Sequence, residues 1–513
     1  MPISKTEDLF NLINSLDKSE KRAFRLFTHR IDSNKDGAFV KLFDILDKMA
    51  EYDESYVIRK LGLKDKTQYS NLKRHLYSQI LKSLRTVHSR KDTEILVRES
   101  LDFAKILYGK GFYLQSLKII EKIKPVAKES QKNLLFFEIL EFQKLIESRH
   151  ITRSRKVQNK VEKIIDETDR LKEVISSTSE FLNLSLRIQG LYIKFGYVKS
   201  EKDEYLFRDY FYSNLPRYDI KKLSFYENVL LQQSFVWYNQ IMLKFNYSYK
   251  HAANWVDHFN LKPIMKQRDP ALYFRGLHYS MTSAYYLRSI SRFRSFYYEM
   301  VNFYNSHESE FLDNTKILYL TYKTNADFNK IFLEGSYSEG VTKLPQLEKT
   351  ILSLQRKLDP HRYSTYRYKM GWVYFGAGEY SKAIDEYNEI LNASKVQLRM
   401  DLLSYSKLLS LISHTHLEHF DYVLNEIKNV KRSFHLSEEK NEVVEIILEL
   451  IRKIAKSRTL KVSVLYDEVD EKLKELRSSR LSSRPFIYFD FVNWIGALKN
   501  GLTIESKINS PDG

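Results

Sequence analysis

The sequence predicts an all-α chain: an array of helical hairpins between an N-terminal helical domain and C-terminal capping helices. Three observations carry this. Only nine prolines and fifteen glycines punctuate 513 residues, which suits long helices joined by short turns better than a β-sandwich or an α/β enzyme. A hairpin-like signature, GWVYFGAGEYSKAIDEYNEIL, occupies residues 371–391. Weaker copies of it recur at a near-constant spacing. The chain is too long for one compact core, and a hydrophobic content of 43% is enough to build more than one.

Residues 1–95 form the first element, a basic helical domain. Its segment 56–91, YVIRKLGLKDKTQYSNLKRHLYSQILKSLRTVHSRK, sets ten Lys or Arg against one acid, Asp65. That is half of the chain's net charge of +18. LGLKDKTQYSNLKRHL weakly resembles a helix-turn-helix, with Gly62 at the turn, although Ile58 and Gln68 depart from the usual pattern. The resemblance implies that Lys64, Lys66, Gln68, Tyr69, Ser70, Lys73, Arg74, Lys82 and Arg85 offer donors to a nucleic acid. The competing reading is an amphipathic hairpin with Leu72, Leu76, Ile80 and Leu84 turned inward and the charges in water.

The second element, residues 96–435, carries the period. In the best copy Gly371 lets two helices cross closely. Tyr374 follows three residues later, Gly378 opens the turn, Tyr380 begins the return helix, and Ala383 and Tyr387 pack in it. These residue types at these offsets resemble the tetratricopeptide repeat, a helix–turn–helix unit. Anchors at Tyr249, Phe293, Tyr337, Tyr380 and Phe420 lie 44, 44, 43 and 40 residues apart. The resemblance implies a divergent right-handed α-solenoid, with Pro345 expected to interrupt one return helix. It also implies a concave face built by the first helix of each hairpin. The inward positions map onto Tyr322, Asn325, Asn329 and Phe332, then onto Thr365, Tyr368, Trp372 and Phe375.

Residues 436–513 hold two charged helical segments, an aromatic run from Pro485 to Leu498, and a polar tail. Solenoid ends need a cover, and the aromatic run is expected to supply it.

Several classes of function fall away. Without cysteine, disulfides and thiolate chemistry are excluded. No phosphate-loop, dinucleotide-binding, zinc-protease or serine-elbow motif occurs. DSNKDGAFVKLF imitates a calcium loop but has Phe43 where the bidentate acid belongs. His414, His416 and His419 cluster without supporting acids. No metal and no cofactor are expected. The charged N-terminus and the absence of a long apolar run point to a cytoplasmic protein that does not enter a membrane. The sequence therefore reads as a non-enzymatic scaffold that recognises a protein or peptide on the concave face. The alternative is a nucleic-acid-binding regulator that uses segment 56–91, with the array as its sensor.

Overall fold

The computed structural model describes residues 7–31, 37–63, 65–89, 92–149, 159–355, 357–392, 400–437, 441–460 and 463–510. Among these residues every regular element is a helix and no strand occurs. The chain divides into two compact units, residues 1–176 and 177–513. The division falls inside one long helix, away from the boundaries expected at 95 and 435.

Unit 1 begins with α1 (Asp8–Ser15), α2 (Lys18–Ile31), α3 (Ala38–Asp47), α4 (Glu54–Leu61) and α5 (Lys66–His88). Their apolar faces close one core around Phe24, Leu42, Phe43, Leu46, Leu76 and Ile80. A second core joins α6 (Thr93–Gly109), α7 (Tyr113–Glu129), α8 (Asn133–Arg149) and the first half of α9 (Lys160–Phe195). Asp53, Asp65 and Asp92 cap their helices by accepting from backbone N–H groups two or three residues on, which satisfies donors that the helix leaves free.

Unit 2 continues α9 and adds α10 (Glu201–Asn214), α11 (Phe225–Ile241), α12 (Phe245–Leu261), α13 (Ile264–Arg268), α14 (Pro270–Tyr286), α15 (Ile290–His307), α16 (Asp313–Glu334) and α17 (Tyr337–Leu354). Then come α18 (Pro360–Gly376), α19 (Tyr380–Asn392), α20 (Met400–His416), α21 (Phe420–Leu436), α22 (Glu442–Ser457), α23 (Ser463–Ser478), α24 (Phe491–Asn500) and α25 (Ile504–Ile508). From α11 onward each helix packs on its sequence neighbour, and α14, α16, α18, α20 and α22 also pack on one another in succession. One apolar core runs from Phe225 to Ile504, so residues 436–513 share the core of the hairpins before them.

The hairpin of α18 and α19 shows why those residues were needed. A Cβ on Gly371 would stand 2.6 Å from the Tyr387 ring, so only glycine permits this crossing. Gly378 closes the turn at φ +83°, with its N–H donating to the Phe375 carbonyl and that of Glu379 to Tyr374. Ala383 and Tyr387 are fully buried, Tyr374 is partly buried, and Tyr380 stacks on His416 at 4.2 Å.

Two expectations need correction. Pro345 does not interrupt its helix: α17 runs through it from Tyr337 to Leu354. Burial of Leu344, Leu347 and Ile351 offsets the backbone hydrogen bond that proline forfeits. The anchors Tyr249 and Phe293 also lie inside their helices, which begin at Phe245 and Ile290. Counted from helix starts, the intervals become 45, 47, 43 and 40 residues.

Candidate functional site

The site is built on three first helices of the hairpins in unit 2. On α14, Arg275, His278 and Thr282 follow at intervals of three and four residues; so do Tyr322, Asn325 and Asn329 on α16, and Arg362, Thr365 and Lys369 on α18. That spacing puts each trio on one helix face. The three faces come together. His278 stacks flat on Tyr322 at 4.1 Å, and the Arg362 guanidinium lies 5.8 Å above the same ring, within cation–π range.

Lys369 is the centre of the arrangement. Its Nζ donates to Asn325 Oδ1 at 2.7 Å and to Asn329 Oδ1 at 2.6 Å. Among the described residues no carboxylate pairs with Lys369, Arg275 or Arg362. Removed from water without an acid to compensate, the ammonium is pushed down to about 7. Lys369 keeps some accessible surface, on the side where it lines a cavity of about 160 Å³. The same cavity is lined by Thr282, Asn325, Asn329, Thr365 and Trp372, and closed by Tyr192, Tyr197, Ile487 and Tyr488. Burial, then the neighbouring Arg362, Lys369 and Arg275, hold His278 well below its ordinary pKa.

The C-terminal segment crosses this face. Tyr368 donates its hydroxyl to the Tyr488 carbonyl at 3.0 Å. The Tyr488 ring stacks on Tyr405 at 3.9 Å, and its hydroxyl reaches Asp401 Oδ2 at 2.6 Å. Phe489 packs against both Trp372 and Phe375, at 5.3 Å from each. Asp490, almost wholly buried, pairs with Arg288 at 2.7 Å. Burial raises its pKa, but Arg288 and Arg477 outweigh that and hold it below the ordinary carboxylate value. Arg288 sits at φ 55°, a conformation that a side-chain-bearing residue adopts at a cost. Trp494 Nε1 donates to His416 Nε2 at 2.9 Å.

The aromatic run thus lies over the inward row, where it was expected to cover an end of the array. Tyr322, Phe332, Tyr368, Trp372 and Phe375 are all buried, with Phe332 stacked on Trp372 at 4.2 Å. Asn325, Asn329, Thr365, Tyr368 and Trp372 do meet around one cavity; Tyr322, Phe332 and Phe375 stand outside its lining. Sequence reasoning missed Lys369, Arg275, His278 and Arg362. A signal for Lys369 existed: it follows Thr365 by four residues on the same face and Asn325 by 44, the interval that separates the first two sequence anchors.

In unit 1, α4 ends at Gly62, in the left-handed conformation at φ 65°, and α5 begins four residues later. Lys66, Gln68, Ser70, Arg74, Lys82 and Arg85 are exposed on α5. Tyr69 corrects the expectation: it is 1% exposed and its hydroxyl meets that of Tyr52 at 3.0 Å, so it cannot reach a nucleic acid. Lys73 leans over the Tyr69 ring at 4.6 Å, and Arg85 pairs with Asp102 at 2.8 Å. Lys64 and the calcium-like trio Asp32, Asn34 and Asp36 lie outside the described residues. His414 and His419 meet through their Nδ1 atoms at 2.9 Å. Among the described residues no group of three or more His, Asp or Glu is placed to hold a metal. No described helix is long and apolar enough to cross a membrane.

No protein-family model matches the chain, and no curated protein matches it.

Proposed function

We propose that this is a non-enzymatic helical-repeat binding protein of the cytoplasm, a divergent right-handed α-solenoid resembling tetratricopeptide arrays. Its inward face in unit 2 receives a segment of a protein or peptide partner. One observation carries the reading: the chain's own residues 484–494 already occupy that face as a ligand would. Tyr368 holds a backbone carbonyl, Trp372 and Phe375 receive an aromatic side chain, and Arg288 neutralises an acid. Backbone capture combined with aromatic anchors is how peptide grooves gain affinity.

A fluorescent peptide of sequence RPFIYFDFVNW, residues 484–494, tests this on the full chain. It should bind the Tyr488→Ala/Phe489→Ala variant, whose own segment is weakened, at least tenfold more tightly than the wild type. Adding Trp372→Ala should abolish the gain. No binding to any of the three proteins sinks the proposal.

A second reading rests on the turn at Gly62 and the exposed cations of α5: unit 1 contacts a nucleic acid through Lys66, Ser70, Arg74 and Lys82. A labelled duplex should then bind the full chain with an affinity that falls steeply as salt rises. Arg74→Ala/Lys82→Ala should weaken binding and flatten the salt slope by about two phosphate contacts. Negligible binding at low salt removes this reading.

A further inference from the structure

We propose that the cavity around Lys369 is a binding site for a small oxyanion, a compact carboxylate or a phosphate, held by Lys369, Asn325 and Asn329. The cavity shares Tyr368 and Trp372 with the peptide-receiving face, but the anion is held by Lys369, Asn325 and Asn329, so either reading can fail while the other stands.

The first support is an imbalance of donors and acceptors. Lys369 has three N–H donors and spends two, on Asn325 Oδ1 and Asn329 Oδ1. By turning their oxygens to the ammonium, both asparagines leave their amide N–H₂ groups without a protein acceptor. Asn329 is only 3% exposed and lines the cavity, so a group bound there is within reach of its amide. A buried donor left unmade costs free energy. The Thr282 and Thr365 hydroxyls already donate to their own helices, at His278 and His361. The cavity therefore offers N–H groups and calls for an acceptor.

Charge gives the second support. Arg275, Arg362 and Lys369 all act on His278, and no acid answers them among the described residues. An ammonium drawn out of water with no carboxylate paired to it among the described residues is costly, and burial holds it down to about 7. A bound anion would pair the charge and favour the protonated ammonium.

Size selects the ligand. A volume of about 160 Å³ is close to that of an engineered cavity of about 150 Å³ that accommodates benzene. It takes a group of that bulk and no more. Ile487 and Tyr488 form part of the wall, which excludes a peptide chain while the C-terminal segment is seated.

Thermal unfolding of the full chain tests the site, with sodium phosphate and sodium acetate compared against sodium chloride at equal ionic strength. The wild type should gain several degrees with phosphate or with acetate, and the more effective salt identifies which oxyanion the site takes. Lys369→Met should lose that gain. Because this variant could misfold, Asn329→Asp provides the second arm: it is nearly isosteric and supplies the missing acid. It should melt higher than wild type in chloride and respond to neither oxyanion. A shift of equal size in wild type and in Asn329→Asp marks an adventitious ion only and overturns the proposal. So does a wild type that responds to phosphate and acetate no more than to chloride.

Discussion

Two basic surfaces in this chain behave differently. On α5 most cations stand in water, and the Arg85–Asp102 pair is about half exposed on both sides; Lys73, beside Glu54 and the Tyr69 ring, is the sheltered one. On the inward face of unit 2 the cations are fewer, but they lie among aromatic rings, and the acid that faces Arg288 is nearly dry. A charge in water is screened and solvated, so it contributes to long-range attraction and little to stability. A charge removed from water must be paired or neutralised, so each substitution there is felt. The segment that dominates the charge count is therefore not the one where charge shapes the structure.

The largest expected effect separates the two surfaces most clearly. Asp490→Ala strands Arg288 and should destabilise unit 2 by about 3–5 kcal/mol in urea unfolding. A loss below about 1 kcal/mol would mean that this pair is as wet as those on α5. Gly371→Ala should cost about 1–3 kcal/mol, because the new Cβ meets the Tyr387 ring and overpacking outweighs the helix propensity gained. An unchanged midpoint would show that the α18–α19 crossing is looser than described.

Two pH effects follow, with the same sign in different windows. His416 is neutral and accepts from Trp494, and burial pushes it down to about 4. The unfolded chain, with histidine near its ordinary 6.5, binds the extra proton first. Stability present above about pH 6.5 is then lost as pH falls toward 4. Urea midpoints at pH 7 and 4.5 should fall less for His416→Gln than for wild type. Lys369 is pushed down to about 7, against about 10.4 when unfolded, so again the unfolded chain holds the extra proton, now between pH 7 and 10. The stability of wild type relative to Lys369→Met should rise across that window; a flat difference contradicts the burial. The smallest effect returns to α5, where Asp102→Ala should change stability by less than about 1 kcal/mol.

Much of the helical plan was legible in the sequence. Gly371, Gly378, Ala383 and Tyr387 announced a hairpin because close crossings and left-handed turns admit few residue types. Gly62 likewise announced the end of α4. The inward row was legible as positions, since Asn325, Asn329, Thr365, Tyr368 and Trp372 do surround one cavity. Its occupant was not. That Tyr488 and Phe489 lie on Tyr368 and Trp372 depends on contacts more than a hundred residues apart, for which no local period exists. Lys369 was overlooked because a lysine in a basic chain reads as solvated; only the structure shows it drawn against Asn325 and Asn329. Tyr69 was misplaced for the converse reason, as an aromatic in a charged run can still face inward.

The central claim is that the inward face of unit 2 receives a segment of chain and now holds residues 484–494. Hydrogen exchange of the wild-type protein, followed as RPFIYFDFVNW is added, addresses it most directly. Exchange at the protein's own Tyr488–Trp494 amides should rise with peptide concentration and saturate, as one segment replaces the other. Protection of those amides that stays constant at saturating peptide would contradict the account.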